Sequence, residues 1–306
     1  MAGAFPRDRH LTAIAIGYKN QDVTLIADEV LPRVPVGKET FSYTRYPVSQ
    51  AFTFPNTFVG ERSKVPQIEL SGEQVDASVK DYGLEHVLTR RDIDDAPAGL
   101  DPRERATEML TNLVLLDREV RAAQLVFNAA NYTNKATLAG TTQWSHASSN
   151  PLEALLTALD LPLMRPNILV LGQAVWTKLS VHPKLVSAFN GTSGENGKIT
   201  KEWLAGLLEI SEVIVGSAQF NQVKPGKTPS LARAWGKHAL LCYRDRTVGT
   251  SGGITFGITA QYGDRVAGSR EEDIGLHGGV AVRAGESVRE LIIAPDAAYF
   301  FENAVV

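Results

Sequence analysis

The chain of 306 residues has a single cysteine, Cys242, so no disulfide can close within it and no multi-cysteine metal site can form. Cys242 sits in the apolar stretch HALLCY and reads as a small buried hydrophobe. No run of about 18 apolar residues occurs, and the N-terminus MAGAFPRDRHL lacks the apolar centre of a signal peptide, so neither membrane insertion nor secretion is encoded. A soluble protein made in the cytoplasm is expected. A large excess of charge of one sign is missing too: a formal net charge of -3 supplies no basic field for neutralising phosphates, which leaves only weak, non-specific contact with DNA. The six histidines, His10, His86, His146, His182, His238 and His277, show no close zinc spacing. What is present, 43% hydrophobic and 21% charged residues, fits an ordinary globular protein of one large or two modest domains and excludes a disordered chain.

Helical and extended patterns alternate along the chain without an internal repeat, which predicts a mixed α+β fold. A short helical pattern covers Leu11 to Ile16, and LIADEVLPRVPVG then reads as extended because Pro32 and Pro35 forbid continued helix. From Gly37 to about Lys80 the alternation predicts a long, irregular hairpin, with Phe41, Tyr43 and Arg45 on one face and Val75, Ala77 and Val79 on one face of the returning strand. A long helix follows at DPRERATEMLTNLVLLDREVRAAQLVFNAA. Asp101 is its expected N-cap, Pro102 its first residue and Glu104 the partner in a capping box. Ala106, Met109, Leu110, Leu113, Leu116, Val120, Ala123 and Phe127 recur every three or four residues as one apolar stripe, and Asp117 can pair with Arg121 on its flank. At 1.5 Å per residue such a helix is about 40 Å long, the length of a spine rather than of a small compact domain.

A second domain is expected from NPLEALLTALDLP, with Asn150 as cap, Pro151 first and Glu153 closing a box. Strand Ile168–Leu171, helices near Ala174–Leu179 and Thr200–Leu208, and strand Val213–Val215 follow. The remainder reads as strands: LLCY, ITFGIT with Ile254, Phe256 and Ile258 alternating, VAVRAG and LIIA.

The hairpin concentrates Phe41, Tyr43, Tyr46, Phe52, Phe54 and Phe58. A two-stranded hairpin cannot bury both of its faces, so these residues need cover, either from an adjacent subunit or from the chain's own domain. They are the candidate subunit-contact residues.

Candidate chemistry is weaker. Gly249–Gly253 matches G-x-S-x-G and would make Ser251 a hydrolase nucleophile, but that motif requires a strand, a sharp turn and a helix, and ITFGIT continues as strand. Gly191 to Lys198 imitates a phosphate loop with one residue too many between its glycines and Ile199 where Ser or Thr should bind magnesium. Asp92, Asp94, Asp95 and Asp101 could gather a divalent cation, yet they precede a helix N-terminus, where negative charge is favoured without metal. Glu271, Glu272 and Asp273 form a charge run with no partner group near in sequence. No catalytic, cofactor-binding or metal residue is assigned.

The ordered set of an arm ending near LIADEVLPRVPVGKETFSY, a long hairpin, the helix at Pro102 to Ala130, RPNILVLGQAVWTKLSVHPKLVSAF, ITKEWLAGLLEISEVIVGSAQFN, ARAWGKHALLCYRD and VRELIIAPDAAYFFENAV resembles a tailed-bacteriophage major capsid protein of the Hong Kong 97-type fold, over nearly the whole chain. The resemblance implies an N-terminal arm at 1–36, an extended hairpin loop at 37–80, a peripheral domain with a spine helix at 81–149, an axial domain at 150–285 and a return strand to the peripheral domain at 286–306. It implies a homo-oligomer of pentamers and hexamers, closing into an icosahedral shell around double-stranded DNA, with the loop overlying a neighbouring subunit. Portal, scaffolding and decoration proteins are its implied partners, and the virion, built in the host cytoplasm, its location. Some relatives carry a long N-terminal scaffolding segment; here the arm starts almost at once, so a separate scaffolding protein or none is expected. A nanocompartment shell of the encapsulin type shares the fold and is the alternative, and a serine hydrolase using Ser251 is the remote one.

Overall fold

The computed structural model describes residues 6–17, 25–45, 54, 56–61, 63–67, 73–191, 197–223, 226–249 and 253–306. It is a mixed helix and sheet protein built on two large sheets, with two further two-stranded ribbons, one of them β8 (Gln219–Asn221) with β9 (Leu231–Arg233). One is four-stranded, in the order β1 (Arg33–Val36), β11 (Gly257–Glu272), β12 (Gly279–Ile292) and β4 (Lys80–Thr89). The other is five-stranded, in the order β5 (Lys135–Thr137), β13 (Ala298–Glu302), β10 (Ala239–Cys242), β6 (Ile168–Gly172) and β7 (Glu212–Gly216).

The five-stranded sheet is covered on both faces, which explains why β6 reads as an unbroken apolar run. Leu169 and Leu171 point into a core shared with helices α5 (Pro151–Asp160), α6 (Gln173–Leu179), α7 (Pro183–Asn190) and α8 (Lys201–Leu208). Ile168 and Val170 point the other way, into a core completed by Ala122, Ala123 and Val126 of the long helix α4 (Pro102–Val126) and by Ile26, Val30 and Leu31 of the arm. β10 divides alike, Ala239 and Leu241 to one side and Leu240 and Cys242 to the other, as a two-residue period requires. Cys242 is fully buried, and burial pushes its thiol pKa up. The N-terminal half of α4 lies on the four-stranded sheet, where Ala106 and Leu110 meet Leu88, Val280 and Val282 together with Leu11 and Ala15 of α1 (Arg9–Gly17). The spine helix therefore serves both sheets.

Several expectations are corrected. The arm is not extended throughout: Ala27–Val30 makes one helical turn, α2, before Pro32, and only Arg33–Val36 is strand, paired parallel with β11. The stripe on α4 is rotated, with Val114, Arg118, Glu119, Ala122 and Val126 buried while Met109 and Leu113 are 60% and 48% exposed. Asp101 does cap α4 through the Arg103 N–H, but Glu104 closes no box and instead meets His10 Nε2 at 2.7 Å. Nor does Asn150 cap α5 with its side chain, which bonds the Glu153 carboxylate at 2.6 Å. The alternation at Ile254 precedes the strand, which begins at Gly257. The segment boundaries also move. β11 and β12 pair with each other and, through β12, with β4, so 257–292 joins the sheet of 80–89, and a division at 285 would cut β12. The last strand, β13, pairs with β10 and β5 in the five-stranded sheet and does not return to the sheet of β4.

Candidate subunit interface

β2 (Thr40–Arg45) and β3 (Glu73–Ser78) pair antiparallel as a separate two-stranded ribbon, with Phe41 opposite Ala77 and Tyr43 opposite Val75. β4 resumes two residues after β3, so the ribbon runs directly out of the four-stranded sheet. The six candidate contact residues do not share one fate. Tyr43 is half-buried against the cluster of Val34, Ile258 and Ile293 at the ribbon's root, and Phe41 is half-buried. Phe54 and Phe58, towards the tip, are 98% and 81% exposed, and Val65, on the same connecting stretch, is 70% exposed. Tyr46 and Phe52 lie outside the described residues. The root thus packs on the chain's own body, while the stretch between the strands carries large apolar side chains that nothing among the described residues covers.

A buried charge network at the ribbon's base was not foreseen. Glu119, on the spine helix, accepts the Ile26 and Ala27 N–H groups at 2.9 and 2.8 Å and the Trp235 indole N–H at 2.5 Å. It supplies acceptors to the first turn of α2, whose own sequence offers no side-chain cap. Burial raises its pKa against these hydrogen bonds. Next to it, Arg118 meets Asp28 at 2.7 Å and donates to Thr259 Oγ1 at 3.0 Å, and Arg33 meets Asp28 at 2.7 Å and Glu286 at 2.8 Å. Burial pushes the Asp28 pKa up, but Arg118 and Arg33 outweigh it and hold the carboxyl below its usual value. Arm, spine helix and long β hairpin are joined here by charge. Periodicity counts Arg118 and Glu119 as exposed polar positions, and adjacent opposite charges such as Glu104 and Arg105 occur elsewhere on the same helix, so no local signal marks these two.

The other candidate motifs have structural roles. Asp92 forms a capping box with Thr89 at the start of α3 (Arg90–Asp94), and Asp94 pairs with Arg90 at 3.3 Å. Among the described residues no group of three or more His, Cys, Asp or Glu could hold a metal ion. Gly191 ends α7 in the left-handed conformation with φ 76°. Glu272 is ion-paired with Arg270. Ser251 lies outside the described residues, and a strand, not a helix, follows at Gly257. A serine–histidine contact occurs elsewhere, Ser149 Oγ to His182 Nε2 at 3.0 Å, but the same nitrogen faces the His146 carbonyl at 3.2 Å. A nitrogen donating to that carbonyl cannot take a proton from serine, and among the described residues no group bonds Nδ1 to orient the ring. Among the described residues no helix is long and apolar enough to cross a membrane.

Over 304 residues the chain is 52% identical to the major capsid protein of Pseudomonas phage JBD67, with 98% of each chain covered. The chain belongs to the family of bacteriophage major capsid proteins. A phage-related protein from Bordetella bronchiseptica RB50 shares its fold over 99% of both chains, with a TM-score of 0.76 and 25% identity. Two further solved structures match in fold alone: the capsid of cyanophage P-SCSP1u, TM-score 0.62 at 9% identity over 93% of this chain and 90% of that one, and an encapsulin complex from Synechococcus elongatus, TM-score 0.51 at 12% identity over 97% and 95%. No family model matches. Identity of sequence thus lies with a phage capsid, and the encapsulin shares only architecture with this capsid protein.

Proposed function

We propose that copies of this capsid protein assemble through pentamers and hexamers into an icosahedral shell that encloses double-stranded DNA. The observation that carries the reading is the uncovered tip of the β2–β3 ribbon, where Phe54 and Phe58 stand in solvent on an element continuous with the four-stranded sheet through β4. Apolar area of that kind is stabilised only when another surface removes it from water. The five-stranded sheet with α5 to α8 serves as the axial domain, and the four-stranded sheet with the spine helix as the peripheral domain. Wedge-shaped subunits close into rings, and arms and ribbons tie the rings together; many modest contacts held at once make the shell stable. Portal, scaffolding and decoration proteins are partners of such a shell, contact with packaged DNA is non-specific at a net charge of -3, synthesis is in the host cytoplasm, and the protein has no catalytic task.

The test is to express the chain with Phe54→Asp and Phe58→Asp together and to image it by negative stain beside the unmodified protein. Shells from the unmodified chain, and soluble unassembled subunits from the variant, are the expected pair of results. Normal shells from the variant would remove the ribbon tip from the assembly contact. Particles filled with a protein cargo instead of DNA would favour a nanocompartment.

A further inference from the structure

The net charge of -3 is unevenly distributed along the chain. Of 31 basic and 34 acidic residues, five basic and no acidic ones lie between Glu212 and Asp245, namely Lys224, Lys227, Arg233, Lys237 and Arg244, so the remainder of the chain holds 26 and 34. This segment leaves the five-stranded sheet at Gly216, forms the β8–β9 ribbon and re-enters the sheet as β10. Arg244 is engaged internally, with Glu212 and the Glu29 carbonyl. Lys227, Arg233 and Lys237 are exposed, and among the described residues none of them is ion-paired with a carboxylate.

The ribbon that carries them is firmly built. Gln219 lies opposite Arg233, Phe220 opposite Ala232 and Asn221 opposite Leu231. The two-residue period turns Phe220 and Ala232, half-buried, to one face and Gln219, Asn221, Leu231 and Arg233, all exposed, to the other. At the root, Arg233 donates to the Ser217 carbonyl at 2.9 Å and the Ala234 N–H to the Ala218 carbonyl at 2.9 Å. At the far end, Asn221 Oδ1 accepts the Val223 and Ser230 N–H groups at 3.2 and 3.0 Å. Lys227 follows Gly226, whose φ of 90° is open to glycine without strain.

Cations standing beside amide and hydroxyl groups, here Gln219, Thr228 and Ser230, suit phosphate oxygens. A protein partner would need an apolar centre to cover, and Leu231 is the one large apolar side chain on the exposed face of the two strands. We infer that the β8–β9 ribbon, with Lys227, Arg233 and Lys237, is the surface that meets the phosphates of the enclosed double-stranded DNA. The inference rests on the shell reading and gives the non-specific contact a place on the chain. Each copy contributes a weak contact that ignores sequence and fades with salt, and repetition over the shell multiplies it.

The experiment uses unassembled full-length subunits and a fluorescent DNA duplex, with binding followed by anisotropy over a series of salt concentrations. Unmodified subunits should bind at low salt. Each phosphate contact contributes about 0.9 to the slope of log K against log salt, so Lys227→Gln with Arg233→Gln should flatten that slope by about 1.8. Lys227→Arg with Arg233→Lys keeps both charges and should match the unmodified chain, which separates charge from a change in the ribbon's fold. Arg91→Gln with Lys178→Gln removes an exposed arginine and an exposed lysine elsewhere and should leave the slope unchanged. An unaltered slope in the first pair, a flattened slope in the charge-keeping pair, or an equal flattening in the Arg91 and Lys178 pair would overturn the inference. So would unmodified subunits that bind polyglutamate but no duplex, which would give the ribbon to an acidic protein. Negative stain judges the shell reading separately: the unmodified chain and all three variants should form shells, and an unmodified chain that forms none removes that reading whatever the duplex does.

Discussion

The Glu119 carboxylate and the Trp235 indole N–H, 116 positions apart in the chain, meet at 2.5 Å in the interior. The same carboxylate holds the N–H groups of Ile26 and Ala27 at the start of the arm's helical turn, so one side chain fastens the arm, the spine helix and the segment leading into β10. Glu119→Ala leaves three donors without an acceptor in a site that water does not reach. Each such loss costs about 1–3 kcal/mol, so the variant should unfold at markedly lower denaturant concentration. Glu119→Gln keeps one acceptor oxygen and should fall between it and the unmodified chain. Chemical unfolding of dissociated subunits measures both, and equal midpoints for Ala and the unmodified chain would contradict this role.

Acid should loosen the base of the ribbon through Asp28. Burial raises its pKa, but Arg118 and Arg33 more than reverse this, so the folded pKa lies below the unfolded one. A depressed carboxyl contributes stability above its unfolded pKa, about 3.9, and loses it as pH falls towards the folded value. Asp28→Asn should lower stability at neutral pH and flatten the dependence below about pH 4. An unchanged acid limb in the variant would show that other carboxyls dominate it.

The histidines act in a milder range. Burial holds His182 and His238 below the ordinary imidazole pKa, so the folded chain binds their protons less readily than the unfolded chain does. Their contribution is therefore present above about pH 6.5 and declines as pH drops through it. His182 lies between Ser149 and the His146 carbonyl, with its Nδ1 buried and unpartnered. Titration by nuclear magnetic resonance should place its ring below a solvent-exposed histidine in the same sample, and a normal or raised value would refute the burial argument.

Much of this architecture was legible in local pattern. The ribbon followed from the alternation of Phe41 and Tyr43 against Val75 and Ala77, which pair as that alternation requires. β6 announced itself as a double-faced core strand by its run of Ile168 to Leu171. What stayed hidden was non-local. Nothing near Tyr299 says that its strand joins β10 rather than β4, because both options bury the same apolar residues. Arg118 and Glu119 look like solvated helix positions until the arm and β11 bring Asp28, Ile26, Ala27 and Thr259 to them. Met109 and Leu113 matched the apolar period yet are left outside, since the sheet covers one side of the helix only.

That split on the spine helix separates folding from assembly. Leu110 is 6% exposed and packs on the four-stranded sheet, so Leu110→Ala should cost about 2–5 kcal/mol of subunit stability. Met109, its neighbour, is 60% exposed, and Met109→Ser should leave the unfolding midpoint within about 0.5 kcal/mol while lowering the yield of particles. Unfolding curves and particle counts on the two variants check both halves. Loss of stability without loss of assembly in Met109→Ser would reverse the assignment of that face.

Glycine supplies the last sharp case. A Cβ on Gly216, the final residue of β7, would lie 2.2 Å from the Trp235 ring, and one on Gly172, at the end of β6, would lie 1.9 Å from the Gly236 carbonyl oxygen. Neither obstacle is a flexible tip: Trp235 is fully buried and held by Glu119, and the Gly236 oxygen is backbone. Overpacking of a tight core ordinarily costs about 1–3 kcal/mol. Gly216→Ala should reach at least that range and also disturb the Trp235 environment, whereas Gly206→Ala, on α8 with open space around it, should be neutral or slightly stabilising because alanine favours helix. Trp235 is buried but shares the chain with three other tryptophans, so its fluorescence is read as a difference between Gly216→Ala and the unmodified protein. Equal spectra and equal midpoints would mean that the indole can shift, and that Glu119 does not hold it.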